Sequence, residues 1–373
     1  ITIWYNGIDI LAENDFRQVR GKKLGLIINY SFFTRTMDNA LEMLINKGIK
    51  VDKIFSPEHG MYGVPDGQKI DDSFYGTVRI PVKSLYGKNL YPSQNEYDGL
   101  DALIFDIESV GLRFYTFIYT MFYCMKAAAD QGKVFMVLDR PNPLGRYVFG
   151  KVILPELTSF VGDCFLPASY GFTNGELALY IKKKYKLNLD LRIIKCTGWN
   201  GEYFCHGNEL WNIPSPALPT FNSLLAYAGF CFFEQTNLSE GRGTYKPFEY
   251  IGAPWVDSQG LVAYLRNKFP DLKVRERTFV PFDRKYKGEL CFGAEFFPSL
   301  KDNFFVISHS ILRYCFRSGK LVINENIDRL TADRQFRLSI ENTEEFSFDL
   351  WEKEGMEFMH SNEDILLYGR DKK

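Results

Sequence analysis

The chain has 373 residues, enough for two domains with separate cores, and 46% hydrophobic against 24% charged residues is the balance of a folded protein rather than a disordered one. Its 45 basic residues meet 46 acidic ones, a formal net charge of −1, so nothing in the charge favours nucleic acid or an anionic membrane as partner. No run approaches the roughly 18 apolar residues that a membrane span needs.

In chain order, residues 24–28 (Leu-Gly-Leu-Ile-Ile) predict a buried strand, and 40–45 predict a helix stopped by Gly48. Residues 51–55 and 102–105 predict two more strands. Phe114, Phe117, Met121, Met125 and Ala128 then recur at helical spacing as far as Gly132, and 134–138 is the next apolar strand. Thr173-Asn174-Gly175-Glu176 has the spacing of a capping box opening a helix over 177–184, with a strand at 191–195 behind it. This alternation predicts an α/β fold: a Rossmann-like, mostly parallel sheet with helices on both faces. From about Gly260 the chain becomes more charged. A helix over 261–268 and strand-like pieces at 286–297, 336–341 and 365–367 predict a smaller α+β domain at the C-terminus. The expected division is a catalytic domain over 1–257 and an auxiliary domain over 258–373.

Aromatic residues are abundant at 16%, with 33 Phe and 22 Tyr; such rings fill cores, and their faces also suit sugar rings. The seven cysteines (Cys124, Cys164, Cys196, Cys205, Cys231, Cys291 and Cys315) are scattered, odd in number and without C-x-x-C spacing. They read as small buried hydrophobes, and with only four histidines no metal centre is expected. No cofactor is expected either, because neither dinucleotide nor P-loop fingerprint is present. No G-x-S-x-G elbow occurs, and neither His59 nor His206 stands near a distinctive cysteine, which disfavours serine and cysteine nucleophiles.

Ligands of an open parallel sheet bind beyond the carboxyl ends of its strands. Three predicted strands run there into polar clusters: Ser56-Pro57-Glu58-His59-Gly60, Asp106-Ile107-Glu108-Ser109-Val110-Gly111-Leu112-Arg113, and Asp139-Arg140-Pro141-Asn142-Pro143. What remains is carboxylate chemistry, with Glu58, Asp106 and Glu108 as catalytic candidates for cleaving a glycosidic bond. Extended backbone would point Asp106 and Glu108 to one face. Asp106 also fits a buried strand-end residue, and Glu176 is better explained by the capping box. Ser239-Glu240-Gly241-Arg242-Gly243-Thr244 could nest an anion.

At these blocks the sequence resembles the NamZ-type exo-β-N-acetylmuramidases, long known only as a bacterial domain family of unknown function. The likeness rests on Ser56-Pro-Glu-His-Gly60, Ser84-Leu-Tyr-Gly87, Arg113-Phe-Tyr-Thr116, Leu138-Asp-Arg-Pro-Asn-Pro143, Gly175-Glu-Leu-Ala178, Pro214-Ser-Pro216, Ser239-Glu-Gly-Arg-Gly-Thr244 and Gly252-Ala-Pro-Trp255. It implies a Rossmann-like catalytic domain, an auxiliary C-terminal domain and a cleft between them. It also implies release of N-acetylmuramic acid from the non-reducing ends of peptidoglycan fragments, with Glu58 as acid/base. The substrate-binding set that goes with it is His59, Arg113, Tyr115, Asp139, Arg140, Asn142, Glu234, Asn237, Glu240 and Arg242. Four positions depart from the family pattern: Ser109, Tyr170, Gln235 and Ala217.

The leading expectation is therefore an exo-acting glycoside hydrolase on muramic-acid sugars, whose lactyl carboxylate calls for an arginine. Arg242, between two glycines, ranks ahead of Arg113 and Arg140, and Asp139 is expected to pair with Arg140. The alternatives are a catalytically impaired cell-wall sugar-binding protein and a hydrolase of another acetamido sugar. The partner is a peptidoglycan-derived sugar, with no nucleic acid and no membrane span. Export to a periplasmic or extracytoplasmic site is expected from the resemblance and from a chain that begins at Ile1 rather than Met.

Overall fold

The apolar runs read from the sequence become the middle of a seven-stranded sheet. The computed structural model describes residues 3–64, 71–77, 79–87, 89–159, 162–204 and 210–369; Cys205 and His206 lie outside them. Two units result, the first made of Ile1–Tyr147, Tyr170–Pro216 and Met359–Lys373, the second of Val148–Ser169 and Ala217–Phe358.

In the first unit the strands are β1 (Lys23–Ile28), β2 (Lys50–Ser56), β3 (Ser73–Tyr75), β4 (Ile80–Ser84), β5 (Ala102–Asp106) and β6 (Val134–Leu138). β7 (Val148–Phe149) and β8 (Ser169–Tyr170) pair as a separate two-stranded sheet, and β9 (Leu191–Ile194) returns to the large one. The order is β3-β4-β2-β1-β5-β6-β9, with every pairing parallel except β3 with β4. β1 to β4 build outward on one side and β5 to β9 on the other. The order therefore reverses between β1 and β5, where open α/β sheets bind ligands.

Both alternating sets of side chains are buried: Leu24, Leu26, Ile28, Ile104, Met136 and Leu138 on one face, Ile27, Leu103, Phe105, Phe135 and Val137 on the other. A parallel sheet with both faces covered needs this continuous apolar character. Helices α1 (Gly7–Glu13), α2 (Ala40–Asn46), α3 (Gln94–Tyr97), α4 (Phe117–Asp130) and α5 (Asn174–Lys184) belong to this unit. Ile8 and Leu11 of α1 and Leu41 and Leu44 of α2 join the first face in one cluster. Gly7 opens α1 against the sheet itself: an added Cβ would lie 2.5 Å from Asp139 N and Ile194 O, so no larger residue fits. α5 carries the capping box expected of Thr173 and Glu176.

The second unit holds a three-stranded antiparallel sheet, β10 (Tyr250–Ala253), β11 (Val274–Phe279) and β12 (Cys291–Phe296), in the order β10-β12-β11. Its helices are α6 (Phe221–Phe230), α7 (Ser258–Lys268), α8 (Phe304–Phe316), α9 (Ile327–Thr331), α10 (Arg334–Glu341) and all but the last turn of α11 (Asp349–Ser361). Asp257 lies inside this unit, where its carboxylate caps α7. Residues 336–341, expected as strand, form α10 instead: Phe336, Ser339 and Ile340 are buried, a spacing of three and four that is helical. Residues 365–367 are not strand either; Ile365 closes a 3₁₀ turn (Glu363–Ile365).

Much of the aromatic surplus is core filling here. Phe336 stacks on Trp351 at 5.7 Å, and Phe232, Phe346 and Phe348 pack around the same pair. Burial among these rings pulls His309 down to about 3, so it is a neutral hydrogen-bond partner of Ser339 rather than a titrating group. The six described cysteines are all buried thiols.

Candidate functional site

Chain ends from β1, β2, β5 and β6 meet at the carboxyl edge of the first unit's sheet. Glu58 follows β2 and is half-buried; its Oε2 accepts a hydrogen bond from the Thr116 hydroxyl at 2.6 Å, just ahead of α4. Its other oxygen has no hydrogen bond among the described residues. His59 is buried with φ +67°, a left-handed conformation that turns the chain sharply after Glu58. Its ring meets Val64 O at 2.9 Å and the Ser215 hydroxyl at 3.4 Å, with Phe117 edge-on at 6.2 Å.

Arg140 is the hub beside it. Its Nε donates to Asp106 Oδ1 at 2.5 Å, its Nη1 to Glu108 Oε2 at 3.2 Å and its Nη2 to Phe33 O at 3.1 Å. Asp106 and Glu108 do share a face, as period-two geometry requires, and it is a guanidinium that they face. Burial pushes Asp106 up to about 6, with Arg140 opposing, so it is ionised at neutral pH. Burial likewise raises Glu108 against the pull of Arg140. Burial would lower Arg140 itself, but Asp106 and Glu108 outweigh it and hold it above the ordinary guanidinium range. Asp106 has no exposed surface and touches no open space.

Asp139 is not the partner of the Arg140 side chain. It takes only the Arg140 backbone N–H, at 3.0 Å, because neighbouring residues of an extended segment point to opposite faces. Its carboxylate is fully buried and accepts from the Thr173 hydroxyl (2.7 Å), Gly175 N (2.7 Å) and the Tyr368 hydroxyl (2.6 Å). Burial still pushes it up to about 6 against those donors. Its work is to tie β6, α5 and the closing segment together. Tyr368→Phe should cost about 1–3 kcal/mol by removing one donor from this buried carboxylate. Losing that donor raises the carboxyl further, so the loss is fully present above the variant's higher pKa and shrinks as pH falls from there toward 6, where the wild-type carboxyl also takes up its proton. Denaturant unfolding of both proteins at pH 5 and pH 8 measures it.

Other members of the expected set are buried too. Asn142 is buried between Phe172 O and Leu144 N, against Gly111, where a Cβ would lie 2.4 Å from its oxygen. Arg113 has no exposed surface, and burial lowers its pKa to about 10. Tyr115 donates to Pro214 O at 2.6 Å. Glu58, Asp106, Arg113 and Asp139 therefore do not line one open cleft: Glu58 alone among them is not fully buried, and β1 separates its strand from that of Asp106.

Glu234, Asn237, Glu240 and Arg242 lie in the second unit. Arg242 pairs with Glu234 at 2.8 Å and sits over the Phe248 ring at 5.2 Å. Burial raises Glu234, with Arg242 opposing. Glu240 pairs with Lys285 at 2.9 Å rather than with Arg242. Asn237 bridges Lys320 O and Val322 N.

Two of the departures from the family pattern touch each other: the Ser109 and Tyr170 hydroxyls are 3.4 Å apart, both buried. Neither lies on an open rim. Thr116, Asn212 and Arg35 carry no sign of a role in the sequence. Thr116 stood inside a quoted run. Asn212, two residues before Pro214-Ser-Pro216, donates to Ser31 O and Glu108 Oε2. Among the described residues no cluster of His, Cys, Asp and Glu could hold a metal, and no helix is long and apolar enough to cross a membrane.

This architecture is shared with known proteins. The N-terminal family model of exo-β-N-acetylmuramidase NamZ matches residues 24–222, and the C-terminal model matches 225–368. The peptidoglycan β-N-acetylmuramidase NamZ of Bacillus subtilis (strain 168) is 35% identical over 375 residues, covering 97% of this chain and 91% of that protein. Two crystal structures of DUF1343 family proteins from Bacteroides fragilis NCTC 9343 have TM-scores of 0.89 and 0.79 at 27% and 26% identity. Each covers 99% of this chain, and 100% and 99% of the solved chains are matched. The chain belongs to the NamZ exo-β-N-acetylmuramidase family of glycoside hydrolases.

Proposed function

We propose that the protein releases N-acetylmuramic acid from the non-reducing ends of peptidoglycan fragments, with Glu58 as the proton donor to the leaving oxygen. Membership of the family supplies the substrate class. The observation that carries the assignment of Glu58 is its placement: a half-buried carboxyl beyond β2, fixed through one oxygen by Thr116 and with the other unengaged. A general acid must be held in one geometry while keeping an oxygen for the substrate.

Asp106 and Glu108 are both held by Arg140, so neither is an unpaired carboxylate beside Glu58. The group that steadies the oxocarbenium-like centre is then the 2-acetamido oxygen of the substrate, as in substrate-assisted hexosaminidases. Peptidoglycan lies outside the cytoplasmic membrane, so this function includes export, which fractionation of the producing cells would test.

Thr116 is a positioning residue in this scheme. Thr116→Val should lower kcat roughly tenfold, the scale of one hydrogen bond, with KM little changed. Thr116→Ser should restore most of it. Equal losses in the Val and Ser proteins would mean that the hydroxyl does not orient Glu58.

A further inference from the structure

We propose that Arg35 binds the lactyl carboxylate of muramic acid, in an aromatic-walled pocket at the reversal point of the sheet; the assignment rests on the muramidase function above. The pocket has a cavity volume of about 50 Å³, room for a small group such as a carboxylate rather than for a whole sugar ring. Trp4, Phe33, Phe204 and Trp211 form its apolar walls, and Arg35, Glu108 and Arg140 stand among its polar lining. All of these residues belong to the first unit.

Arg35 is on the loop between β1 and α2, so it leaves the sheet beside the β1/β5 reversal, where such sheets hold their ligands. Its backbone N–H donates to Asp9 Oδ1 at 2.8 Å, while Asp9 Oδ2 takes Asn6 N at 2.7 Å. Its guanidinium lies over the Tyr5 ring at 5.3 Å and makes neither an ion pair nor a hydrogen bond with any described residue. The Nε is buried in that state. A planar fork of N–H groups matches a carboxylate.

The other arginines near the rim are already engaged. Arg140 gives its donors to Asp106, Glu108 and Phe33. Arg113 has no exposed surface, and Arg242 is paired with Glu234 in the second unit. Glu108, the carboxylate in the pocket wall, is held by Arg140, so it does not neutralise Arg35.

β1 and β2, whose loops carry Arg35 and Glu58, are neighbours in the sheet, about 5 Å apart. Asn212 stands in the pocket wall, and Ser215, three residues on, meets the ring of His59. A sugar with its glycosidic oxygen toward Glu58 has its 3-O-lactyl arm as the substituent that carries a charge into this space. Rings such as Trp211 suit the apolar faces of the sugar.

The test compares 4-nitrophenyl β-N-acetylmuramide with the same compound carrying a lactyl carboxamide, which removes the charge and keeps the shape. The wild type should prefer the carboxylate in kcat/KM by roughly ten- to a hundredfold, the scale of a charge-assisted hydrogen-bond pair. Arg35→Ala should bring that ratio near one, mainly through KM, and Arg35→Lys should retain part of it. A preference preserved in Arg35→Ala overturns the proposal while leaving the muramidase function standing. If the wild type does not hydrolyse the muramide, calorimetric binding of free N-acetylmuramic acid decides. Binding lost in Arg35→Ala and kept in Arg35→Lys upholds Arg35 without the hydrolase. Binding unaffected by Arg35→Ala, or absent from the wild type, overturns the proposal. Thermal unfolding of each variant separates a local loss from misfolding: a preference that survives in a folded Arg35→Lys and not in Arg35→Gln still assigns the charge.

Discussion

Glu58→Gln should reduce turnover of a muramyl disaccharide by roughly 10²–10⁴-fold, the contribution of a positioned general acid. The amide keeps the shape of the side chain and its contact with Thr116, so KM should move little and the fold should hold. The deficit should depend on the leaving group. With 4-nitrophenolate, which departs with little protonation, the loss should be smaller than with a sugar hydroxyl. Equal losses on both substrates would mean that Glu58 is needed for something other than proton transfer. No loss on the disaccharide would move the acid elsewhere.

The second large effect is on stability. Arg140→Met should destabilise the first unit by about 3–5 kcal/mol, because it strands Asp106, which has no exposed surface, as an uncompensated buried charge. Pairing it with Asp106→Asn should recover part of that loss, since replacing both partners of a buried ion pair is often close to neutral. Denaturant unfolding of the two single variants and the double variant measures this coupling. Strictly additive losses would show that Asp106 and Arg140 do not depend on each other. Activity should fall in Arg140→Met as well, because Glu108 loses its anchor at the edge of the Arg35 pocket.

The centre of the fold was legible because its strands are apolar on both faces. β1, β5 and β6 read as unbroken hydrophobic runs, and glycines with positive φ at Gly48 and Gly132 stop the helices before them. β3 and β4 carried no such signal: Ser73–Tyr75 and Ile80–Ser84 are short and partly exposed, so their pairing depends on the finished sheet. α10 reads as a strand because Phe336, Leu338 and Ile340 alternate as a strand would. The buried trio Phe336, Ser339 and Ile340 shows the helical period that prevails once tertiary packing chooses the face. Each unit takes its residues from more than one stretch of the chain.

At the site, residue types were legible and partnerships were not. The expected Asp139–Arg140 pair fails on elementary strand geometry, since adjacent side chains diverge, and the partners of Arg140 are 34 and 32 residues away. Arg35 had no motif around it. Its significance appears only when the donors of the neighbouring arginines are accounted for in three dimensions.

The most direct measurement is product analysis on two disaccharides of the same sugars in opposite order, MurNAc-GlcNAc and GlcNAc-MurNAc. The account predicts that the wild type cleaves the first to free N-acetylmuramic acid and leaves the second intact, and that Glu58→Gln cleaves neither at a comparable rate. Cleavage of GlcNAc-MurNAc, or undiminished release of N-acetylmuramic acid by Glu58→Gln, would contradict it.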